Sequence, residues 1–175
     1  MHVIVMGIAG AGKSTLGRRL AEASGRPFLE GDAYHPPANL AKMAAGTPLT
    51  DQDREPWLAA LIAAILEVER TGGSAVVACS ALRREARDRF RRAIGPRCFA
   101  HLSIDEAEAR RRLLARPDHF MPASLVATQL KTLDDPADEA DVLRLDATRP
   151  VDELVAAVLA AGGHDRTGDR LRFGA

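Results

Sequence analysis

Apolar residues along this chain alternate between short unbroken runs and longer stretches in which they recur every three or four positions. Val3-Ile4-Val5-Met6 and Ala75-Val76-Val77-Ala78-Cys79 are unbroken runs, the pattern of strands buried on both faces of a parallel sheet. Together with residues 28–30, 99–104 and 142–145 they make five predicted strands. Helical spacing fills the intervals. Leu16 and Leu20 share one face of a helix over 13–23, which stops before Gly25 and Pro27. Leu58, Leu61, Ile62, Ile65 and Leu66 define a helix that follows Pro56 and closes at Gly72-Gly73. Residues 82–92 carry a dense set of arginines on a further helix. Ser103 and Glu106 fit a capping box for the next one, which runs through Leu113 and Leu114 and ends at Pro117. Pro122 is placed to open a helix to about residue 133, and Val151, Leu154, Val155, Val158 and Leu159 line a terminal one. Residues 31–53, rich in Pro, Gly, Asn and Asp, read as loop with short helical turns.

Strands alternating with helices predict an α/β fold: a doubly wound, five-stranded parallel sheet with helices on both faces. One domain spans residues 1–163, and the polar, patternless 164–175 is expected to be a disordered tail. Ligands of such sheets sit at the carboxyl ends of the strands. Residues 7–14, Gly31-Asp32, Ser80 onward, Asp105 and Asp146 are therefore where chemistry is expected.

Composition narrows the class without naming it. The 175 residues are 46% hydrophobic and 27% charged, with 24 basic and 24 acidic side chains. That balance gives no global field for nucleic acid or an anionic membrane. Val3 follows Met1-His2 with no basic segment and no long apolar stretch, so neither a signal peptide nor a membrane span is expected. Cys79 and Cys98 form no metal or redox pattern and read as buried reduced thiols of a cytoplasmic protein. Lysines are scarce, at 13, 42 and 131 only.

One of them completes a motif. Gly7-Ile8-Ala9-Gly10-Ala11-Gly12-Lys13-Ser14 matches G-x-x-x-x-G-K-S between a buried strand and a helix. Its glycines permit positive φ and let amides converge on phosphate oxygens, and the helix start adds a positive dipole end. Lys13 is expected at the β and γ phosphates, the Ser14 hydroxyl on Mg²⁺, and Thr15 beside them. The glycine order, which is not G-x-G-x-x-G, and the Lys-Ser pair disfavour a dinucleotide loop. ATP or GTP is the expected ligand.

A phosphate loop also serves GTPases, motors and non-catalytic nucleotide-binding proteins. The chain has no N-K-x-D guanine-reading sequence and is small for a motor. Asp32, His35, Asn39, Lys42, Asp51, Asp53 and Arg54 crowd the loop after the second strand. A kinase needs such a second site, where an acceptor hydroxyl is aligned and its charge neutralised. Asp32, just past a strand end, is the candidate to orient or deprotonate that hydroxyl.

Further segments sharpen this. Gly31-Asp32-Ala33-Tyr34-His35-Pro36, Asn39, Lys42-Met43, Gly46-Thr47-Pro48-Leu49 and Asp51-Gln52-Asp53-Arg54-Glu55-Pro56-Trp57-Leu58 come in one order. Downstream are Cys79-Ser80-Ala81-Leu82-Arg83, Arg87-Asp88, His119-Phe120-Met121-Pro122 and Gln129. In order and spacing the chain resembles the gluconate kinases of the P-loop kinase superfamily. The resemblance implies transfer of the ATP γ-phosphoryl group to D-gluconate, giving 6-phosphogluconate, with a Mg²⁺ requirement and commonly a homodimer. It makes His35, Lys42, Arg54, Arg83 and His119 candidates for the carboxylate and hydroxyls of the substrate. It places a mobile lid at about 112–124, where Arg112, Arg116 and His119 could close over the transferring group, with Arg116 the catalytic candidate. Asp146 to Pro150 resembles the segment flanking adenine. Trp57 reads as packing. The chain departs from the family at Pro117-Asp118, Leu130 and Asp134, and it lacks the glycine triplet of a shikimate site, having Cys79-Ser80-Ala81-Leu82 there. Kinases of shikimate or of nucleoside monophosphates are the alternatives.

Overall fold

Every residue of β1 (His2–Met6) is buried, and its two faces pack against different helices, which makes it the centre of the molecule. The computed structural model describes residues 1–95, 97–115 and 125–162. β1 pairs in parallel with β3 (Val76–Ala78) on one side and β4 (Arg97–Ser103) on the other. β2 (Phe28–Glu30) adds beyond β3, and β5 (Val142–Asp146) beyond β4, giving the order β2-β3-β1-β4-β5. The register sets Val5 opposite Ala78 and Ala100. The chain leaves β1 toward β2, returns through β3, and crosses to β4, so the sheet's topological switch lies at the carboxyl end of β1.

Val3 and Val5 face a core with α1 (Lys13–Ser24), α5 (Glu106–Leu114), α6 (Leu125–Thr132) and α7 (Val151–Gly162), through Leu16, Leu20, Leu113, Val126, Leu154 and Val158. Ile4 and Met6 face the other core, with Trp57, Leu58, Leu61 and Ile65 of α3 (Asp51–Arg70) and Phe90 of α4 (Arg84–Ala93). The doubly wound parallel sheet read from the sequence is therefore present.

Local starts differ from the expectation. α3 begins at Asp51, not after Pro56, which is its sixth residue. A reciprocal capping box opens it: Thr50 Oγ1 accepts from the Asp53 amide at 3.2 Å, and Asp53 Oδ2 accepts from the Thr50 amide at 2.9 Å. Two orphan donors are satisfied at once, enough to start a helix with one proline just beyond its first turn. Within 31–53 the chain forms a 3₁₀ turn at Gly31–Tyr34 and α2 (Pro37–Ala44). The cap of α5 is Asp105, whose Oδ1 accepts from Glu108 N at 2.8 Å. Ser103 cannot cap it because it is still in β4, paired with Asp146. Cys79 is buried and Cys98 half-buried, and neither forms a disulfide. Most of the expected lid and the 164–175 tail lie outside the described residues, as do Pro117 and Pro122.

Candidate active site

Between Met6 and Lys13 the chain must turn from strand to helix within six residues. Three glycines make this possible, with φ of 141° at Gly7, 81° at Gly10 and 96° at Gly12. Two are also held by space: a Cβ on Gly7 would lie 2.7 Å from the Leu102 carbonyl oxygen, and one on Gly10 would lie 2.5 Å from that of Ala109. The loop is tied to the sheet by Gly7 N donating to Ser80 O at 3.2 Å. Gly12 is the N-cap of α1, which has no side-chain cap. Lys13 Nζ folds back to the Ile8 carbonyl at 3.0 Å, spanning the loop mouth. Burial pulls the Lys13 pKa down while the Asp32 carboxylate pushes it up, so the two charges act on each other across the cleft.

The side of the cleft that carries Asp32 is knitted from β2, α2 and α3. A Cβ on Gly31 would lie 2.3 Å from the Ala78 carbonyl oxygen, so only glycine lets the chain turn there and present Asp32. Trp57 Nε1 donates to Gly31 O at 2.7 Å, and the Trp57 ring stacks on His35 with centroids 4.4 Å apart. Burial lowers the His35 pKa, against the pull of Asp32 and with the push of Arg54. His35 is thus a neutral imidazole suited to hydroxyls rather than a cation suited to a carboxylate. Two cationic forks share one counter-ion: Arg54 Nη1 lies 2.9 Å and Arg83 Nε 3.4 Å from Asp51 Oδ1.

One cleft is lined by Gly10, Gly12, Lys13, Ser14, Asp32, His35, Arg54 and Arg83, so these expected residues converge. Gly7, Ile8 and Ala11 are buried beneath the loop, Ala9 lines the cleft, and Thr15 is exposed on α1. Lys42 does not line it. Its ammonium is 2.6 Å from Asp53 Oδ1, the carboxylate that also caps α3. Arg116 and His119 lie outside the described residues. Arg112 donates to the Ala147 carbonyl at 2.9 Å, and its Nη1 would be 4.0 Å from a Cβ on Gly12, so it bridges phosphate loop and β5 end.

Other contributors were less legible. Gln129 Oε1 accepts from the Ala9 amide at 2.6 Å, bringing α6 onto the loop. Trp57 does more than pack, because its indole fixes the Gly31 turn; an aromatic 22 residues before Cys79 offers no local sign of that. Burial pushes the Cys79 thiol up to about 12, which excludes it as a nucleophile at neutral pH. Of the departures, Leu130 packs on the first core, and Asp134 Oδ2 accepts from the Arg84 amide at 2.8 Å.

A parallel sheet with this strand order, a Lys-Ser phosphate loop at its switch point and an adjoining acceptor cleft define a P-loop kinase. The family described as an AAA domain matches residues 3–136. A gluconokinase of Gluconobacter oxydans is 43% identical over 90% of this chain and 88% of its own, and the thermoresistant gluconokinase of Escherichia coli is 40% identical over 89% and 90%. The crystal structure of a gluconokinase from Sinorhizobium meliloti superposes with a TM-score of 0.79 at 46% identity, covering 91% of this chain and 89% of that one. The chain belongs to the gluconokinase family.

Proposed function

We propose that the protein transfers the γ-phosphoryl group of ATP to D-gluconate, yielding ADP and 6-phospho-D-gluconate. The observation that carries this reading is that Lys13 of the phosphate loop and Asp32 of the acceptor loop face one cleft, with Arg54 and Arg83 further along it. A substrate with a hydroxyl at one end and a carboxylate at the other fits that order.

In the step, a gluconate hydroxyl oxygen bonds to the γ-phosphorus as the bond from that phosphorus to the bridging oxygen of ADP breaks. Asp32 orients the hydroxyl and is placed to receive its proton. Lys13 gives up its contact with Ile8 O to neutralise charge on the β and γ phosphates. The guanidinium groups of Arg54 and Arg83 take the substrate carboxylate, and neutral His35 takes a hydroxyl. Arg116 and His119 are proposed to close over the transferring group.

The donor set suits a phosphate-borne Mg²⁺. Among the described residues no group of three or more His, Cys, Asp or Glu could hold a metal by itself. Mg²⁺ carried by ATP needs only one or two protein oxygens, and the Ser14 hydroxyl lines the cleft beside the loop. When bound, the ion would shield the charge of the β and γ oxygens. No helix among the described residues is long and apolar enough to cross a membrane. A homodimer is the proposed working form, resting on the family resemblance, and a cytoplasmic location is proposed from Cys79 and Cys98, read as reduced thiols.

A coupled assay of ADP release with D-gluconate, shikimate, AMP and no acceptor tests the reading. Turnover with gluconate alone is expected. Turnover without any acceptor, or none with gluconate, would overturn it.

A further inference from the structure

Among the described residues the bulkiest fully buried side chain is an arginine, Arg87, at 0% exposure. Its position follows from spacing: Arg87, Phe90 and Ile94 lie three and four residues apart, and all are buried. A guanidinium in a core must place five N–H donors, and all five are placed. Nε donates to Glu139 Oε2 at 2.8 Å, and Nη2 to Glu139 Oε1 at 2.5 Å and to Asp134 O at 2.9 Å. Nη1 donates to two successive carbonyls, Ala81 O at 2.9 Å and Leu82 O at 2.8 Å.

That last pair demands an unusual backbone. Ala81 has φ 41°, the single non-glycine positive value among the described residues. A residue with a Cβ stays there only where its surroundings over-determine the conformation. Ala81 stands at the carboxyl end of β3, and Ser80, Ala81, Leu82 and Arg83 all line the cleft. The same segment is bound to the phosphate loop through Ser80 O and to the residues after α6 through Leu82 O, which accepts from Asp134 N at 3.0 Å.

We propose that Arg87, anchored by Glu139, is a positioning residue for the acceptor site: it holds residues 80–83 in the strained path that presents Arg83 to the sugar acid. The inference rests on the gluconate reading above. A stabilising role alone would not call for this side chain. A buried ion pair is a weak source of stability, and well-packed apolar residues of similar volume commonly do as well. Apolar residues could not hold the carbonyls of Ala81, Leu82 and Asp134 at once, and those three bonds join the strand end to the residues after α6. Lysine would not serve either, since its three donors lack the planar fork.

Steady-state kinetics of the full-length Arg87→Lys variant test this, with gluconate varied at saturating ATP and ATP varied at saturating gluconate. The KM for gluconate should rise about tenfold or more, while the KM for ATP stays within about twofold, since none of the fork's own bonds goes to the phosphate loop. Adding Ala81→Gly to Arg87→Lys should recover about threefold or more of the gluconate KM, because glycine adopts positive φ without a clamp. If Arg87→Lys does not fold, Glu139→Gln loosens the same anchor and is judged by the same split. Unchanged KM values with only a lower Tm would overturn the inference, as would both KM values rising together or no recovery from Ala81→Gly. Wild-type protein without gluconate turnover would instead overturn the functional reading itself.

Discussion

His35 lies flat on Trp57, with ring centroids 4.4 Å apart and planes inclined by 10°. The same indole donates Nε1 to the Gly31 carbonyl at 2.7 Å. One buried aromatic therefore sets both the turn that presents Asp32 and the face of the imidazole beside it. Asn39 completes the frame by donating Nδ2 to Asp53 O at 2.7 Å, which joins α2 to the start of α3.

Trp57→Phe keeps a ring under His35 and removes the indole N–H. The Gly31 carbonyl, left without this donor, should cost about 1–3 kcal/mol. At roughly 2–4 °C per kcal/mol for a chain of this size, thermal unfolding should move down by several degrees. Kinetics should show a raised KM for gluconate and a little-changed KM for ATP, because the displaced groups lie on the acceptor side.

Lys13→Ala should lower kcat by about 10²-fold or more, through lost stabilisation of charge that develops on the transferring group. Asp32→Asn should depress kcat more than it alters the KM for ATP. Full turnover by Asp32→Asn would remove Asp32 from its assigned role. The comparison is made in one coupled assay, with ATP varied at saturating gluconate.

Acid sensitivity should report Glu139. Hydrogen bonds from Arg87, and then Arg91, hold its carboxyl down to about 2 from an ordinary value of 4.5. A depressed carboxylate contributes stability that is fully present above its unfolded value and is lost as pH falls toward its folded value. Stability against denaturant should therefore fall progressively from about pH 4.5 to about pH 2. Asp53 and Glu108 are also held at about 2, so the difference between wild type and Glu139→Gln isolates the term: the variant should be less stable at pH 7, with the gap narrowing as pH falls. Burial lowers the His35 pKa from its ordinary 6.5, so any break in the gluconate KM from its protonation should fall below that pH.

The phosphate loop and the alternation of strands with helices were legible because their causes are local. Eight consecutive residues carry the Gly-x-x-x-x-Gly-Lys-Ser chemistry, and unbroken apolar runs such as Val3-Ile4-Val5-Met6 can be buried only in a strand covered on both faces. Helix starts were less legible because caps compete. Pro56 and Ser103 are valid signals taken alone, yet Thr50 with Asp53 and Asp105 with Glu108 made the bonds, since Ser103 was already committed to the sheet.

From sequence alone came the α/β class, the phosphate-loop motif with Lys13 and Ser14, and Asp32 as the candidate for the acceptor-side carboxylate. Tertiary structure alone decided which of many charges serve the cleft. Lys42 is drawn off to Asp53, Arg54 and Arg83 are gathered around Asp51, and Arg87 goes into the core to meet Glu139, 52 residues away. No local spacing encodes such choices. An arginine on a helix looks the same in sequence whether it faces water or three backbone carbonyls, and only the packing of α4 against the residues after α6 tells them apart.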